Sequence, residues 1–328
     1  MNVLVVGGAG YVGSHVCKAL AQASHKVVVF DNLSSGLRSN LQADTVFIQG
    51  DLLHYDEIVA AIRQEHIDAV IHLAAFKAAG ESMLVPEKYS LNNLNGSMNL
   101  LNAMVECKIS NLVFSSSAAI YGSPEYNPID ESHPKEPENY YGFTKLKVEE
   151  VLAWYDKIHS FKSACLRYFN AAGYDVDGEL KGLEKNPANL LPVVMETAAG
   201  LREKMQVYGG DYPTPDGTCI RDYIHVSDLA KAHVKALEYI AKQGESINVN
   251  LGSETGASVL EMIAAAEKIT GRKINYSIVG RREGDPAELI ATSALAQQKL
   301  NWRAEHSDVD SLLKTTWEAY LQNGVVKS

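Results

Sequence analysis

Tyr141 and Lys145 stand at i and i+4 in Tyr141-Gly142-Phe143-Thr144-Lys145, the spacing that puts two side chains on one face of a helix. Leu146, Val148, Val151 and Leu152 give the same stretch an apolar face, so it reads as a helix. Tyrosine titrates near pH 10 and is a poor base at neutrality, but an ammonium beside it favours the phenolate. Bringing that pKa down to about 7 needs roughly 4 kcal/mol, within reach of a cation a few ångströms away in a poorly solvated cleft. Tyr141 could then take a proton from a hydroxyl group. Upstream, Leu112-Val113-Phe114-Ser115-Ser116-Ser117 reads as a strand running into a serine cluster. Its C-terminal end is where an open α/β sheet presents its chemistry, and Ser117 could steady charge developing on the same oxygen. Alone, a Tyr-x-x-x-Lys pair is ordinary helix decoration. Tyr140 lies on another face from Lys145 and is assigned to packing, beside Asn139.

A second site decides between these readings. Gly7-Gly8-Ala9-Gly10-Tyr11-Val12-Gly13 follows the first apolar run and opens a helix. Glycines there let the backbone approach a pyrophosphate, and the helix N-terminus supplies N–H donors and positive dipole. Asp31 follows the second apolar run at the distance where a carboxylate meets the adenosine ribose hydroxyls and repels a 2′-phosphate, which points to NAD rather than NADP. Asp51, with Leu52, follows the third run and suits either the adenine or a helix N-cap. With Ser117, Tyr141 and Lys145 downstream in that order, the chain is set up to remove a sugar hydroxyl proton while hydride leaves the same carbon for a nicotinamide.

Short apolar runs position these groups: Val3 to Val6, Val27 to Phe30, Val46 to Gln49, Ala69 to Leu73 and Leu112 to Ser115. Helical stretches separate them, the rhythm of a parallel sheet. Right-handed crossovers then imply an α/β fold, a doubly wound parallel (Rossmann-type) sheet with ligands beyond the strands' C-terminal ends. From about Tyr168 the rhythm yields to Gly/Pro/Asn-rich segments, Asp175 to Pro187 and Gly209 to Gly217, which mark long loops and a smaller C-terminal α/β lobe. The expected division is a dinucleotide domain over 1–168, rejoined by the chain around 221–247, and a substrate domain over 169–328. Helices are expected over Glu261 to Lys273, closed by Gly271, and over Ser307 to Asn323.

At 328 residues and 46% hydrophobic, the chain exceeds what one core usually organises. Its formal charge of -10 and pI near 5.5 argue against nucleic acid or an anionic membrane as partner. Cys17, Cys107, Cys165 and Cys219 have no zinc-like spacing, so no metal is expected and all four read as core thiols of a reducing compartment. Met1-Asn2 leads straight into a strand, with no signal-peptide pattern, and no apolar run reaches the roughly 20 residues of a membrane span. A cytoplasmic protein is expected.

Gly7-x-x-Gly10-x-x-Gly13, Asp31-Asn32-Leu33, Ser117 and Tyr141-x-x-x-Lys145 together resemble the extended short-chain dehydrogenase/reductase family. Within it the chain looks like the UDP-galactose 4-epimerases along nearly its full length. The more specific signatures are Phe76-Lys77-Ala78-Ala79-Gly80-Glu81-Ser82, Arg167-Tyr168-Phe169-Asn170-Ala171-Ala172-Gly173, Asp216-Gly217-Thr218, Arg221-Asp222-Tyr223-Ile224-His225-Val226 and Arg281-Arg282-Glu283-Gly284-Asp285. The resemblance implies an NAD site lined by Gly7, Gly10, Tyr11, Val12, Gly13, Asp31, Asn32, Leu33, Ser34, Ser35, Gly36, Asp51, Leu52, Leu73, Ala74, Ala75, Phe76, Lys77, Asn92 and Phe169, together with Ser117, Tyr141 and Lys145. It places Asn170, Asn189, Gln206, Val207, Tyr208, Arg221 and Arg282 to Asp285 around a UDP-glucose or UDP-galactose, and Leu289 beside the sugar's C2 group. Arg221 and Arg282 suit a diphosphate through paired guanidinium donors, or equally a salt bridge between lobes. Lys77 could reach the cofactor's phosphates. His72 and His225 read as core histidines.

Relatives that eliminate water or carbon dioxide carry acidic residues just after the position of Ser117, where this chain has Ala118 and Ala119. Without that acid and base, reversible oxidation at C4 remains. Epimerases of UDP-N-acetylhexosamines or UDP-uronic acids, and a non-catalytic NAD sensor on the same fold, are the alternatives. The resemblance also implies a homodimer, with the helix of Tyr141 near the partner.

Overall fold

The computed structural model describes every residue except Lys181, Lys185, Asn186, Ala188, Glu283, Gly284 and Ser328. Its strands are β1 (Asn2–Val6), β2 (Lys26–Asp31), β3 (Val46–Gln49), β4 (Ala69–His72), β5 (Asn111–Ser115), β6 (Lys162–Tyr168), β7 (Asn170–Ala172), β8 (Met205–Tyr208), β9 (Ile220–His225), β10 (Ile247–Leu251), β11 (Gly256–Ser258), β12 (Tyr276–Val279) and β13 (Glu288–Leu289). The helices are α1 (Tyr11–Gln22), α2 (Tyr55–Gln64), α3 (Ala79–Leu84), α4 (Pro86–Tyr89), α5 (Gly96–Glu106), α6 (Tyr140–His159), α7 (Leu190–Ala198), α8 (Val226–Gln243), α9 (Val259–Thr270), α10 (Ala294–Leu300) and α11 (Val309–Gln322).

Seven parallel strands form the large sheet in the order β10-β6-β5-β4-β1-β2-β3, the doubly wound α/β sheet expected from the apolar runs. Successive side chains of a strand point to opposite faces, and β1 shows why its run is apolar throughout. Val3 and Val5 enter one core with α1 and α8, whereas Leu4 and Val6 enter another with α2, α5 and α6. The chain leaves β1 toward β2 and β3, then crosses to β4 on β1's other side. The crevice beyond β1 and β4 is therefore the topological switch point, where such sheets bind ligands.

A third core joins α7, α9 and α11 to β8 and β9. Around it β9 pairs with β7, β11 and β13, while β12 pairs with β8. α9 starts two residues before the expected Glu261 because Ser258 caps it: Ser258 Oγ accepts from Glu261 N and the Glu261 carboxylate accepts from Ser258 N, a capping box. It ends at Gly271, with φ +68°.

Candidate active site

At the switch point lies a cavity of about 490 Å³, lined by the C-terminal ends of β1, β2, β5 and β6 and by Leu183, Glu184 and Asn189 from the approach to α7. That volume suits a small-molecule site. Gly7 adopts φ +81°, and a Cβ on it would stand 2.6 Å from Ala74 N, so strand exit and neighbouring backbone touch directly. α1 opens at Tyr11 without a capping side chain or an acidic residue in its first turn. The first-turn N–H groups have no partners within the helix, and Gly10, Tyr11, Val12 and Gly13 line the cavity. Those donors are arranged for an anion such as a diphosphate. At the end of β2, Asp31 lines the same cavity, its carboxylate accepting from Ala9 N at 3.0 Å and Leu33 N at 2.7 Å. Burial pushes its pKa up while both amides pull it down. This cradle fits a dinucleotide with a free 2′-hydroxyl. Asp51 is no helix cap: it accepts from Asn32 Nδ2 at 2.9 Å and Leu53 N at 2.9 Å, and His54 precedes α2.

Of the residues expected at the dinucleotide, Leu33 and Gly36 do not line the cavity. Leu33, at φ +59°, turns its side chain onto the α1 core. Gly36 lies against Ala9, where a Cβ would come within 2.8 Å of backbone. Lys77 lines the cavity but is engaged by the Glu184 carboxylate from the opposite lobe.

Ser117, Tyr141 and Lys145 also line the cavity. Asn139 Oδ1 accepts from Gly142 N at 2.9 Å and so caps α6, while Tyr141 N donates to Ser82 Oγ at 3.0 Å. The end of the Phe76-to-Ser82 motif thus anchors the backbone of Tyr141. Ser117 stands near enough to the Tyr141 phenol to pull its pKa down, and its Oγ accepts from Ala119 N at 3.1 Å. Lys145 Nζ donates to Ser115 O at 2.7 Å and lies 5.8 Å from the centroid of the Tyr141 ring. The expected downward pull on Tyr141 is outweighed among the protein's own groups. Burial pushes its phenol above the ordinary value, and Ser117 pulls the other way. Burial also drags the Lys145 ammonium down to about 7, opposed by Glu149.

The expected sugar-nucleotide residues divide. Asn170 and Asn189 line the cavity, whereas Gln206, Val207, Tyr208, Arg221, Arg282, Asp285 and Leu289 do not. Asn170 Nδ2 donates to Asp222 O at 2.9 Å, tying the cavity edge to β9. Arg221 Nη2 pairs with Asp285 Oδ1 at 3.0 Å. Arg282 lies 3.8 Å above the Tyr208 ring, and Tyr208 donates to Gln206 Oε1 at 2.8 Å. Val207 is buried at 1% exposure in the core with α7 and α9. Leu289 packs with Ala118, Ile120 and the cavity residue Phe169. Glu283 and Gly284 lie outside the described residues.

Residues that the sequence reading did not single out also shape the site. Tyr168 OH and Ser115 Oγ are 2.5 Å apart at the ends of β6 and β5. Asn93 Oδ1 accepts from Phe76 N at 2.9 Å, and its Nδ2 donates to Phe76 O and to Thr144 Oγ1. It belongs to the π-helical stretch Ser90–Asn95 between α4 and α5, a local widening frequent at functional sites. Tyr89, Asn40 and Glu81 complete the wall.

Residues 3–252 match the family model of the NAD dependent epimerase/dehydratase family. The chain is 44% identical over 318 residues to a UDP-glucose 4-epimerase of Lacticaseibacillus casei, covering 97% of this chain and 96% of that one. Among solved structures, the UDP-glucose 4-epimerase of Brucella ovis in complex with NAD superposes with TM-score 0.93 at 44% identity, covering 96% of each chain. The enzyme of Stenotrophomonas maltophila, with bound NAD and formylated UDP-arabinopyranose, gives TM-score 0.94 at 41% identity over 99% of each chain.

Proposed function

The chain belongs to the NAD dependent epimerase/dehydratase family, and from that premise we propose that it is a UDP-glucose 4-epimerase, interconverting UDP-galactose and UDP-glucose. The observation that carries the reading is one cavity with a diphosphate-accepting glycine cradle and the group Ser117, Tyr141 and Lys145. No carboxylate follows Ser117, where Ala118 and Ala119 stand. Gly7 to Gly13, Asp31, Asp51 and the wall from Leu73 to Lys77 hold the cofactor. When bound, NAD supplies a hydride acceptor at C4 of the sugar and a positive charge in the cleft.

Tyr141 takes the proton from the 4-hydroxyl as general base. Ser117 donates to the same oxygen and steadies its charge. Lys145, held by Ser115 O, stabilises the phenolate of Tyr141. Arg221 and Arg282 anchor the UDP diphosphate, with Asp285 released to accept from ribose hydroxyls, so that the 4-keto sugar can turn over without leaving. Asn170 and Asn189 line its chamber, and Leu289 backs the wall behind Phe169. The nucleotide lobe is residues 1–168 with the returning α8 and β10 and with α10, whose Ala296 and Leu300 share the core of β1 and α1, and the remainder forms the sugar lobe.

The protein acts as a homodimer through α6, where Trp154 and Ile158 are 61% and 66% exposed; light scattering at the mass of one chain would exclude this. No helix among the described residues is long and apolar enough to cross a membrane, and the four cysteines are free thiols, in keeping with a cytoplasmic setting.

Purified protein incubated with UDP-galactose, without added NAD, is expected to form UDP-glucose, followed by NMR, with no net NADH. Steady NADH accumulation would make it a dehydrogenase. No product even with added NAD would refute the assignment.

A further inference from the structure

Behind the reacting groups lies a buried ionic cluster that this mechanism leaves unused. Glu149 follows Lys145 by four residues on α6, and the two are 6% and 4% exposed. Arg167 grips the Glu149 carboxylate through two bonds, Nε to Oε1 at 3.0 Å and Nη2 to Oε2 at 2.6 Å, and Ser116 Oγ donates to Oε1 at 2.5 Å. Arg167 also donates to Tyr121 OH at 3.0 Å, which donates to Asn250 Oδ1 at 2.6 Å. Helix α6 and strands β5, β6 and β10 are thereby joined at one carboxylate. Replacing a buried ion pair by apolar residues of similar volume is often neutral or stabilising, so stability alone does not account for the cluster.

The surroundings of Lys145 supply a reason. Its direct contacts are neutral: Ser115 O, the Phe114 ring at 4.8 Å and the Tyr141 ring at 5.8 Å. His72 on β4 is held neutral by burial, its pKa down at about 3. On β6, burial keeps Tyr168 and Cys165 protonated, and Tyr89 on α4 likewise. Arg167 is occupied by Glu149. Among the described residues, Glu149 is therefore the anionic group that acts on the Lys145 ammonium against its burial.

We propose that Glu149 is a positioning residue for the reaction: it is the buried counter-charge that keeps Lys145 cationic behind Tyr141, and through Ser116 it fixes the β5 exit that presents Ser117. The proposal rests on Tyr141 and Lys145 acting as described under the proposed function. As pH rises, activity is lost when Lys145 gives up its proton. Removing the carboxylate makes that proton easier to lose, so the alkaline limb of the profile moves to lower pH.

The test is the pH dependence of kcat for the parent, Glu149→Gln, Glu149→Asp and the double variant Glu149→Gln/Arg167→Met, which removes both charges should an unpaired Arg167 prevent folding. A parallel titration uses ε-¹³C-lysine NMR, with the Lys145 signal assigned by Lys145→Met. In Glu149→Gln and the double variant, the alkaline limb and the Lys145 titration are both expected to fall by about one pH unit or more, as for a charge one helical turn away. In Glu149→Asp they should return toward the parent, with KM for UDP-galactose little changed throughout. A uniformly lower kcat on a superimposable profile overturns the proposal, as does a parent-like titration in the double variant. If the parent fails to epimerise UDP-galactose, the functional reading fails, and the Lys145 titration still decides the counter-charge.

Discussion

Replacing Gly13 with alanine sets two effects of known size against each other. Gly13 lies within α1 at ordinary helical φ, where alanine gains about 1 kcal/mol over glycine in helix propensity. A Cβ there would stand 2.2 Å from Gly7 O, 2.8 Å from Gly8 Cα and 3.0 Å from Gly8 C. All three are backbone atoms, so no side chain can swing aside, and ordinary contact demands a separation of about 1 Å between α1 and the glycine turn. Overpacking of this kind costs about 1–3 kcal/mol, with backbone against backbone at the upper end, so destabilisation wins. The functional loss is larger. Moving the first-turn N–H groups by about 1 Å takes hydrogen bonds near 2.9 Å beyond useful range. Losing two charge-assisted bonds of about 1.5 kcal/mol or more each corresponds to at least about a hundredfold in affinity. The assay is the NAD content of purified protein, released by denaturation and quantified chromatographically, with the dissociation constant by calorimetry. Gly80→Ala is the control, since nothing lies within 4 Å of its added Cβ. A Gly13→Ala protein with parental NAD content and a raised melting temperature would refute the argument, because propensity would then have outweighed the contact.

Tyr141→Phe should keep its NAD and lose epimerisation about 10²- to 10⁴-fold; near-parental turnover of UDP-galactose would mean that another group is the base. Arg221→Met, which also breaks the pair with Asp285, is expected to raise KM for UDP-galactose about tenfold or more while NAD content holds, and steady-state kinetics with an unchanged KM would remove Arg221 from the diphosphate site. Asp222 is buried and accepts from Ser253 N, Ser253 Oγ and Ala291 N, yet burial pushes its pKa up to about 6. Between about pH 4 and pH 6 the folded carboxyl holds a proton that the unfolded chain has released, so its contribution to stability falls as pH rises, by on the order of 3 kcal/mol in all. Asp222→Asn should show a flatter dependence of melting temperature on pH over that window, and an unaltered slope would contradict the assignment.

What could be read from the sequence was the chemistry whose geometry is local. The glycine run, Asp31 at a strand end and the i, i+4 pair of Tyr141 and Lys145 each carry their spacing within a single element or turn. The sheet was legible because strands buried on both faces are apolar throughout, as Val3, Leu4, Val5 and Val6 are. What was not legible depends on contacts between distant segments. Asn93 meets Phe76 and Thr144 only once the π stretch and α6 pack together, and Tyr168 meets Ser115 only across the sheet. Glu184 reaches Lys77 from 107 positions away, with no shared local pattern. The resemblance implied Leu33 and Gly36 at the cofactor together with Asp31, but the backbone turns at Leu33 and lays its side chain against the α1 core. The ionisation of Tyr141 and Lys145 was legible only in part: sequence shows the cation beside the phenol, whereas the extent of burial that works against both charges is a property of the packed site.

The return of the chain to the large sheet also orders the events of synthesis. β10 is the edge strand beside β6, and α8 covers α1, with Val16 and Leu20 in one core with Leu229, Ala230 and Leu237. When translation has passed Tyr168, six strands exist, yet the apolar flank of the helix that begins the dinucleotide site is bare. It stays bare until residues 226 to 251 emerge, by which time β7, α7, β8 and β9 of the other lobe are already outside the ribosome while α9 and α11 are still to come. The nascent cradle must therefore wait for a later part of its own chain, and a fragment ending near residue 168 would expose greasy surface rather than bind nucleotide.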